Sequence, residues 1–306
     1  MRAGIFLPAY FLSTIYFGKI MIAIWWAFGN MFFAALNDLV FKCYARKPRS
    51  HGFFAAIVGV IWCIVLLFLV KDPVTNWKAT LLWGTISGIF SIGGNLLMLD
   101  AMRKLDAGVC STIYRLNLVP AVILAALVLK ENISLTQYAG IACACLAVLA
   151  FLPRNASMRK EMTAGLIVML IASLMRAGMG IAYRYGFDVC GASAQVVPVI
   201  NSLFWVFGGI IYAFTRERSQ VKELFCGDSI KKLCGYGILS GALVAGIVLT
   251  MAKSLELGQA SVVLPIMQMS FLVTGILSVI FMKEKVTFLK TVALLLGITT
   301  IILMSR

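Results

Sequence analysis

Residues 108–131, GVCSTIYRLNLVPAVILAALVLKE, form an apolar stretch long enough to cross a bilayer, since a helix needs about 20 apolar residues to span a hydrocarbon core of roughly 30 Å. Arg115, Asn117 and Pro120 lie inside the stretch, and Lys130 and Glu131 sit where it should meet water. A guanidinium in such a segment makes sense when its face looks onto protein or onto a wet cavity. The same ending returns as Lys283 and Glu284, after another apolar segment that contains Pro265. The chain therefore reads as two copies of one unit.

Hydrophobic residues make up 61% of the 306 and charged residues 13%, against about 45–50% and roughly 25% in a soluble domain. This is the composition of a polytopic membrane protein. The formal net charge of +15 does not point to nucleic acid: most lysines and arginines fall in short gaps between apolar segments, as topology-setting charges do, and there is no basic stripe or aromatic stacking platform. Eight cysteines and the single histidine, His51, which reads as part of a basic loop, show no ligand spacing for a metal. Cys63, Cys110, Cys143 and Cys145 lie within apolar segments, where cysteine acts as a small hydrophobe.

Hydropathy predicts ten spanning helices, near 21–42, 53–71, 79–102, 108–130, 136–153, 163–185, 193–214, 233–255, 259–282 and 287–305. Residues 1–20 are an N-terminal extension whose apolar run, 4–17, is an interfacial helix, an extra span or a lead-in to the first helix. Residues 21–153 form a first five-helix repeat, 154–162 a polar linker, and 163–306 a second five-helix repeat. The longest loop, 215–232, TRERSQVKELFCGDSIKK, reads as solvated. At a shift of 153, Gly84 falls on Gly237, Ser87 on Ser240, Gly88 on Gly241, and Lys130-Glu131 on Lys283-Glu284; at a shift of 150, Gly108 falls on Gly258 and Ser111 on Ser261. Five helices per repeat is an odd number, so the second copy enters the membrane from the opposite side. The fold class is thus all-α, with ten transmembrane helices as two inverted five-helix repeats, an arrangement whose solute site lies near the midplane between the repeats.

Two arginines lie deep in the apolar segments. Arg115 shares a helical sector with Cys110, Ser111, Tyr114 and Asn117. It either meets a solute carboxylate or phosphate, or snorkels to an interface or pairs with an internal acid. Arg176 lies near the middle of the sixth segment, on a stripe with Ser173, Gly180 and Tyr183, where a charge costs about 2.5–3.5 kcal/mol on insertion scales. It reads as a binding residue, with a structural pair to Asp38 or Asp100 as the alternative. Asn30 is a pocket amide on the face shared by Trp26, Phe33 and Asn37. Asn201, Trp205, Gln268 and Asn95 are weaker candidates, for which interhelical hydrogen bonding is the stronger role. Pro120, Pro198 and Pro265 interrupt hydrogen-bond ladders and are candidate hinges. There is no P-loop, no HExxH, no G-x-S-x-G and no buried carboxylate pair, and an acid at the middle of a helix is missing. No enzyme, cofactor or metal site is expected.

Ten helices in a five-plus-five repeat, each fourth helix ending in Lys-Glu, resemble the EamA-like branch of the drug/metabolite transporter superfamily. The start of the first helix, Trp26, Ala27, Phe28, Gly29 and Asn30 with Lys42 at its end, is similar to that family's opening. The resemblance covers nearly all of the chain from Met21. The segment before Met21 and the acid Asp38 depart from the family pattern. The resemblance implies a secondary transporter in the plasma (cytoplasmic) membrane. With two intramembrane arginines, the expected solute is a small polar metabolite with an anionic group, an amino acid or organic acid, moved by alternating access as an exporter or exchanger. The alternatives are a multidrug or quaternary-amine exporter and a non-transporting membrane scaffold or sensor. The expected partners are a small solute and the lipid bilayer. Loops after the odd-numbered helices hold 17 Lys or Arg and the opposite side 8, so charge bias puts both termini outside, whereas the resemblance puts them inside.

Overall fold

The computed structural model describes residues 9–71, 73–128, 134–150, 156–224, 229–257 and 266–304. Most of those residues are helical, with no strand among them. The helices are α1 (Ala9–Ala45), α2 (His51–Leu67), α3 (Trp77–Ala101), α4 (Ala107–Arg115), α5 (Leu118–Val128), α6 (Leu135–Ala150), α7 (Ala156–Arg184), α8 (Val196–Arg216), α9 (Arg218–Leu224), α10 (Ser229–Leu257), α11 (Ser270–Met282) and α12 (Phe288–Met304), with a π-helical turn, Tyr185–Val189, after α7. Among the described residues, six helical stretches are long and apolar enough to cross a membrane: Met21–Ala45, Trp77–Ala101, Ala107–Val128, Met162–Phe187, Val196–Arg216 and Ser229–Met251. Four shorter apolar helices accompany them. The outer surface carries large apolar side chains such as Trp25, Leu127, Phe207, Phe281 and Phe288, while Asn30, Asn37, Asp38, Ser111, Asn201 and Thr274 are buried. That reversal of the soluble pattern is what a lipid solvent selects.

Residues 9–20 do not form a separate span. They continue α1 N-terminally into one helix of 37 residues, about 55 Å at 1.5 Å per residue. α7 likewise begins at Ala156, inside the segment read as a linker.

The helix pairings map onto themselves when the halves are exchanged. α1 packs on α10 as α7 packs on α3, and α3 on α8 as α10 on α2, while α2 with α8 and α6 with α12 pair across the exchange. The duplicated glycines explain how. Ile200 and Phe204 of α8 press on Gly84 and Gly88 of α3, and Ile57 and Ile61 of α2 press on Gly237 and Gly241 of α10. A side chain at any of these glycines would fall within about 2.6–2.7 Å of its neighbour. α2 and α8 meet backbone to backbone: a Cβ at Gly209 would lie 2.5 Å from Gly52 O, and one at Gly52 2.3 Å from Gly209 O. Small residues permit this approach, which gives dispersion contacts where apolar lipid supplies no hydrophobic drive.

Side chains from one half tie helix ends of the other at a single end of the bundle. Glu217, only 4% exposed, accepts from Ser50 Oγ at 2.8 Å and from the N–H groups of His51 and Gly52 at 3.0 Å, serving the open N-terminus of α2. Glu284 accepts from Ala107 N at 3.0 Å, doing the same for α4. Arg46 donates to Met282 O at 3.2 Å, and Lys290 pairs with Asp106. Within the first half, Lys42 donates to Met102 O at 2.8 Å and to Leu105 O. Two sequence expectations are corrected here. The 215–232 segment is not simply solvated, because Glu217, just before α9, and Val221, within it, are buried. His51 is fully buried as the first residue of α2: it bonds Asp100 at 3.0 Å, Asp100 accepts from Tyr212 Oη at 2.8 Å, and Arg103 Nε donates to His51 Nε2 at 3.2 Å. Helix-end capping, which hydropathy does not score, drew these polar groups inward. Lys130, Glu131 and Pro265 lie outside the described residues.

Two outcomes check this packing. Gly209→Val forces α2 and α8 apart, and the purified protein melts lower or fails to assemble, while Gly180→Val, which faces open space, is tolerated. Glu217→Ala leaves the N–H groups of His51 and Gly52 without their acceptor, at a cost of about 2–4 kcal/mol, read as an earlier unfolding midpoint in detergent.

Candidate functional site

The fourth apolar segment is not one helix. α4 ends at Arg115, the chain turns through Leu116 and Asn117, and α5 starts at Leu118. Pro120 sits in the first turn of α5, where its missing N–H costs nothing, so it starts a half-helix and does not kink a continuous one. Pro198 has the same place in α8. A second break lies at Met269, between a short helical stretch at 266–268 and α11. The two breaks are built alike. Leu116 N bonds Ile113 O at 3.2 Å and Val119 N bonds Leu116 O at 3.0 Å; Met269 N bonds Ile266 O at 3.1 Å and Leu272 N bonds Met269 O at 3.0 Å. Each atom of the first set falls on its counterpart in the second at the 153-residue shift, which also sets Arg115 on Gln268. Broken helices near the midplane are how carriers bring backbone and polar side chains to a solute.

α4 and α11 run antiparallel between the tied end of the bundle and these breaks. Gly108 faces Gly275 and Ser278, and Ser111 faces Thr274, a register that brings Arg115 to the level of Ser270. Into this junction α1 projects Asp38, 4% exposed. Its Oδ2 accepts from Ser111 Oγ at 2.6 Å and Thr274 Oγ1 at 3.3 Å. Arg115 places a guanidinium nitrogen 3.7 Å from the same oxygen, an ion pair beyond hydrogen-bond distance. The Arg115 side chain is 13% exposed, and its Nε has no hydrogen-bond partner among the described residues. The Tyr114 hydroxyl, Ser270 Oγ and Gln268 Oε1 are also buried without a hydrogen bond, and Asn95 is a polar neighbour of Tyr114. Arg176, half-buried on α7, acts electrostatically on Asp38, Tyr114, Arg115 and Tyr183. Its described hydrogen bond is to the Met179 sulfur at 3.6 Å. The junction thus gathers two guanidinium groups, one carboxylate and three further polar groups, on Tyr114, Ser270 and Gln268, without hydrogen bonds among the described residues.

The candidates from sequence separate into two groups. Arg115, Tyr114, Arg176 and Gln268 meet at or beside the junction, and Asn117 occupies the α4–α5 turn. Asn30 is instead committed to α10, donating to Ile247 O at 2.6 Å and Thr250 Oγ1 at 3.3 Å. Asn201 accepts from Ser87 Oγ at 3.0 Å and donates to Tyr183 Oη. Trp205 donates to Ser91 Oγ at 2.9 Å and crosses Trp62 edge to face. These three act as ties between helices. Asp38 is the correction in the other direction: an embedded acid is present. It lies seven residues before the end of α1, so its distance from a helix end suggested an interface, but α4 and α11 stop beside it. Ser111 was legible as part of the Arg115 sector; Thr274 and Ser270 carried no signal beyond being small polar residues. Two apolar clefts, of about 370 and 430 Å³, open beside the broken helices, the second reaching Leu116 and Ser173. Among the described residues no group of His, Cys, Asp and Glu could hold a metal.

The family model of the EamA-like transporter family matches residues 21–152 and 163–306. An uncharacterised protein of Methanocaldococcus jannaschii is 25% identical over 122 residues, which make up 40% of this chain and 84% of that protein; that relative is about the length of one half of this chain. A crystal structure of another protein superposes with a TM-score of 0.61 at 14% identity, covering 92% of this chain and 96% of that one, a likeness of fold alone.

The two groups of polar residues differ in what their loss does. Asn201→Ala removes an interhelical tie worth about 0.6–1.7 kcal/mol and lowers the melting temperature without changing ligand-induced stabilisation, whereas Arg115→Ala removes that stabilisation; a thermal-shift assay on both variants reads the difference.

Proposed function

The chain belongs to the EamA-like transporter family, and on that premise we propose that it is a secondary transporter of small polar metabolites carrying an anionic group, amino acids or organic acids, working by alternating access in the cytoplasmic membrane. In this reading ten spans form two inverted five-helix repeats, divided near 153–162, that rock about the junction of broken helices. The observation that carries it is the charge count at that junction among the described residues: Arg115 and Arg176 against Asp38. An uncompensated buried cation is costly, and a solute anion supplies the missing charge while its oxygens take up the unpaired Arg115 Nε and the Tyr114 and Ser270 hydroxyls. A quaternary ammonium ion would meet net like charge in the same place. A scaffold or sensor would have no use for so many polar groups without hydrogen bonds around a charge.

A metabolite panel tested by thermal shift on purified protein, wild type and Arg176→Ala, checks the reading. At least one carboxylate or amino acid stabilises the wild type, and the variant loses that stabilisation while its ligand-free melting temperature holds. Counterflow in proteoliposomes that moves quaternary ammonium compounds and no carboxylate would sink it.

A further inference from the structure

We propose that Asp38 sets the valence of the solute at one negative charge, so that the site takes monoanions in preference to dianions and to net-neutral zwitterions. The proposal rests on the anion-transporter reading above and narrows it, leaving monocarboxylates and acidic amino acids and setting aside neutral amino acids and dicarboxylates.

The argument is one of charge matching inside an apolar bundle. Arg115 is already half answered. Asp38 lies 3.7 Å from its guanidinium, and the carboxylate is fixed there by Ser111 of α4 and Thr274 of α11. Arg176 is not answered: among the described residues no carboxylate pairs with it, and its hydrogen bond goes to a sulfur, a weak acceptor. The junction therefore offers one open positive charge. A monoanion brings the group to neutrality. A dianion leaves a buried negative charge, and a zwitterion leaves the original positive one, each at the desolvation cost that unpaired buried charges carry. Asp38 touches none of the positions a solute carboxylate would take on Arg115 Nε; it acts by cancelling charge, and its removal should raise the preferred solute valence.

The test uses three probes of equal chain length: butyrate, succinate and 4-aminobutyrate, with net charges of about −1, −2 and 0 near neutral pH, together with their shorter and longer homologues. Each is titrated by thermal shift against purified full-length wild type, Asp38→Asn and Asp38→Glu. In wild type the monocarboxylate series binds about tenfold or more tightly than the other two. Asp38→Asn, which keeps a polar partner for Ser111 and Thr274, moves the preference to the dicarboxylate series by a similar factor. Asp38→Glu keeps the wild-type order. Should Asp38→Asn fold and still prefer the monocarboxylates, whatever its melting temperature, the proposal fails, while the anion reading stands. Should Asp38→Asn not fold, wild type decides, and a preference there for succinate over butyrate overturns the proposal. If no series stabilises any of the three proteins, the proposal and the anion reading fall together.

Discussion

Backbone touches backbone where α2 crosses α8, and the rest of the molecule depends on that approach. With no Cβ at Gly52 or Gly209 the two helices close to contact distance, and each then presents an isoleucine-bearing ridge to a glycine pair in the opposite half. Four helices, α2, α3, α8 and α10, become one interlocked core built from both copies of the unit. In lipid this matters more than in water, because separating two apolar helices exposes them to a solvent as apolar as themselves. Dispersion and hydrogen bonds must hold them, and both fall off within an ångström or so of separation.

Around that core, polar residues divide by whether their partners are complete. Asn37 accepts from Ser240, Asn30 donates to α10, and Ser254 donates to Ala23 O at 2.8 Å; each closes its local hydrogen-bond account and binds two helices. At the tied end, Glu217, Glu284 and Lys42 do the same for helix termini. Among the described residues, hydrogen-bonding groups are left over in number at the junction of α1, α4, α7 and α11, and there the charges do not cancel. Completeness of partnering, not polarity, separates the structural residues from the candidate site.

That distinction also marks how far the sequence could be read. Hydropathy locates the apolar segments because chain length and bilayer thickness fix what a spanning helix must be, and the Lys-Glu endings and repeated glycines reveal the duplication. Arg115 and Arg176 stand out because any charge in such a segment does. Asn30 stands out as a polar group, yet its hydrogen bonds tie α1 to α10, since a one-dimensional pattern shows a polar group without its partner; Asn201, read first as an interhelical hydrogen bond, is a tie as expected. Asp38 was visible but misplaced in meaning: its depth depends on α4 and α11 stopping short, and those breaks are written in one proline and in turns that apolar residues can also make, as Met269 shows. Glu217 and His51 were hidden by a similar failure, because a charged segment that folds back to cap a helix looks, in sequence, like a segment dissolved in water.

The matched breaks at Leu116 and Met269 have one more consequence. The backbone there obeys the two-fold relation between the halves, but the side chains do not: the shift that superposes the turns sets a charged Arg115 on an uncharged Gln268. Duplication supplied a symmetric cradle, and divergence gave it a positive pole and a neutral one. On the proposed reading, a solute with a charged head would have a preferred heading there, its head towards Arg115, and would keep that heading whichever face of the membrane it came from.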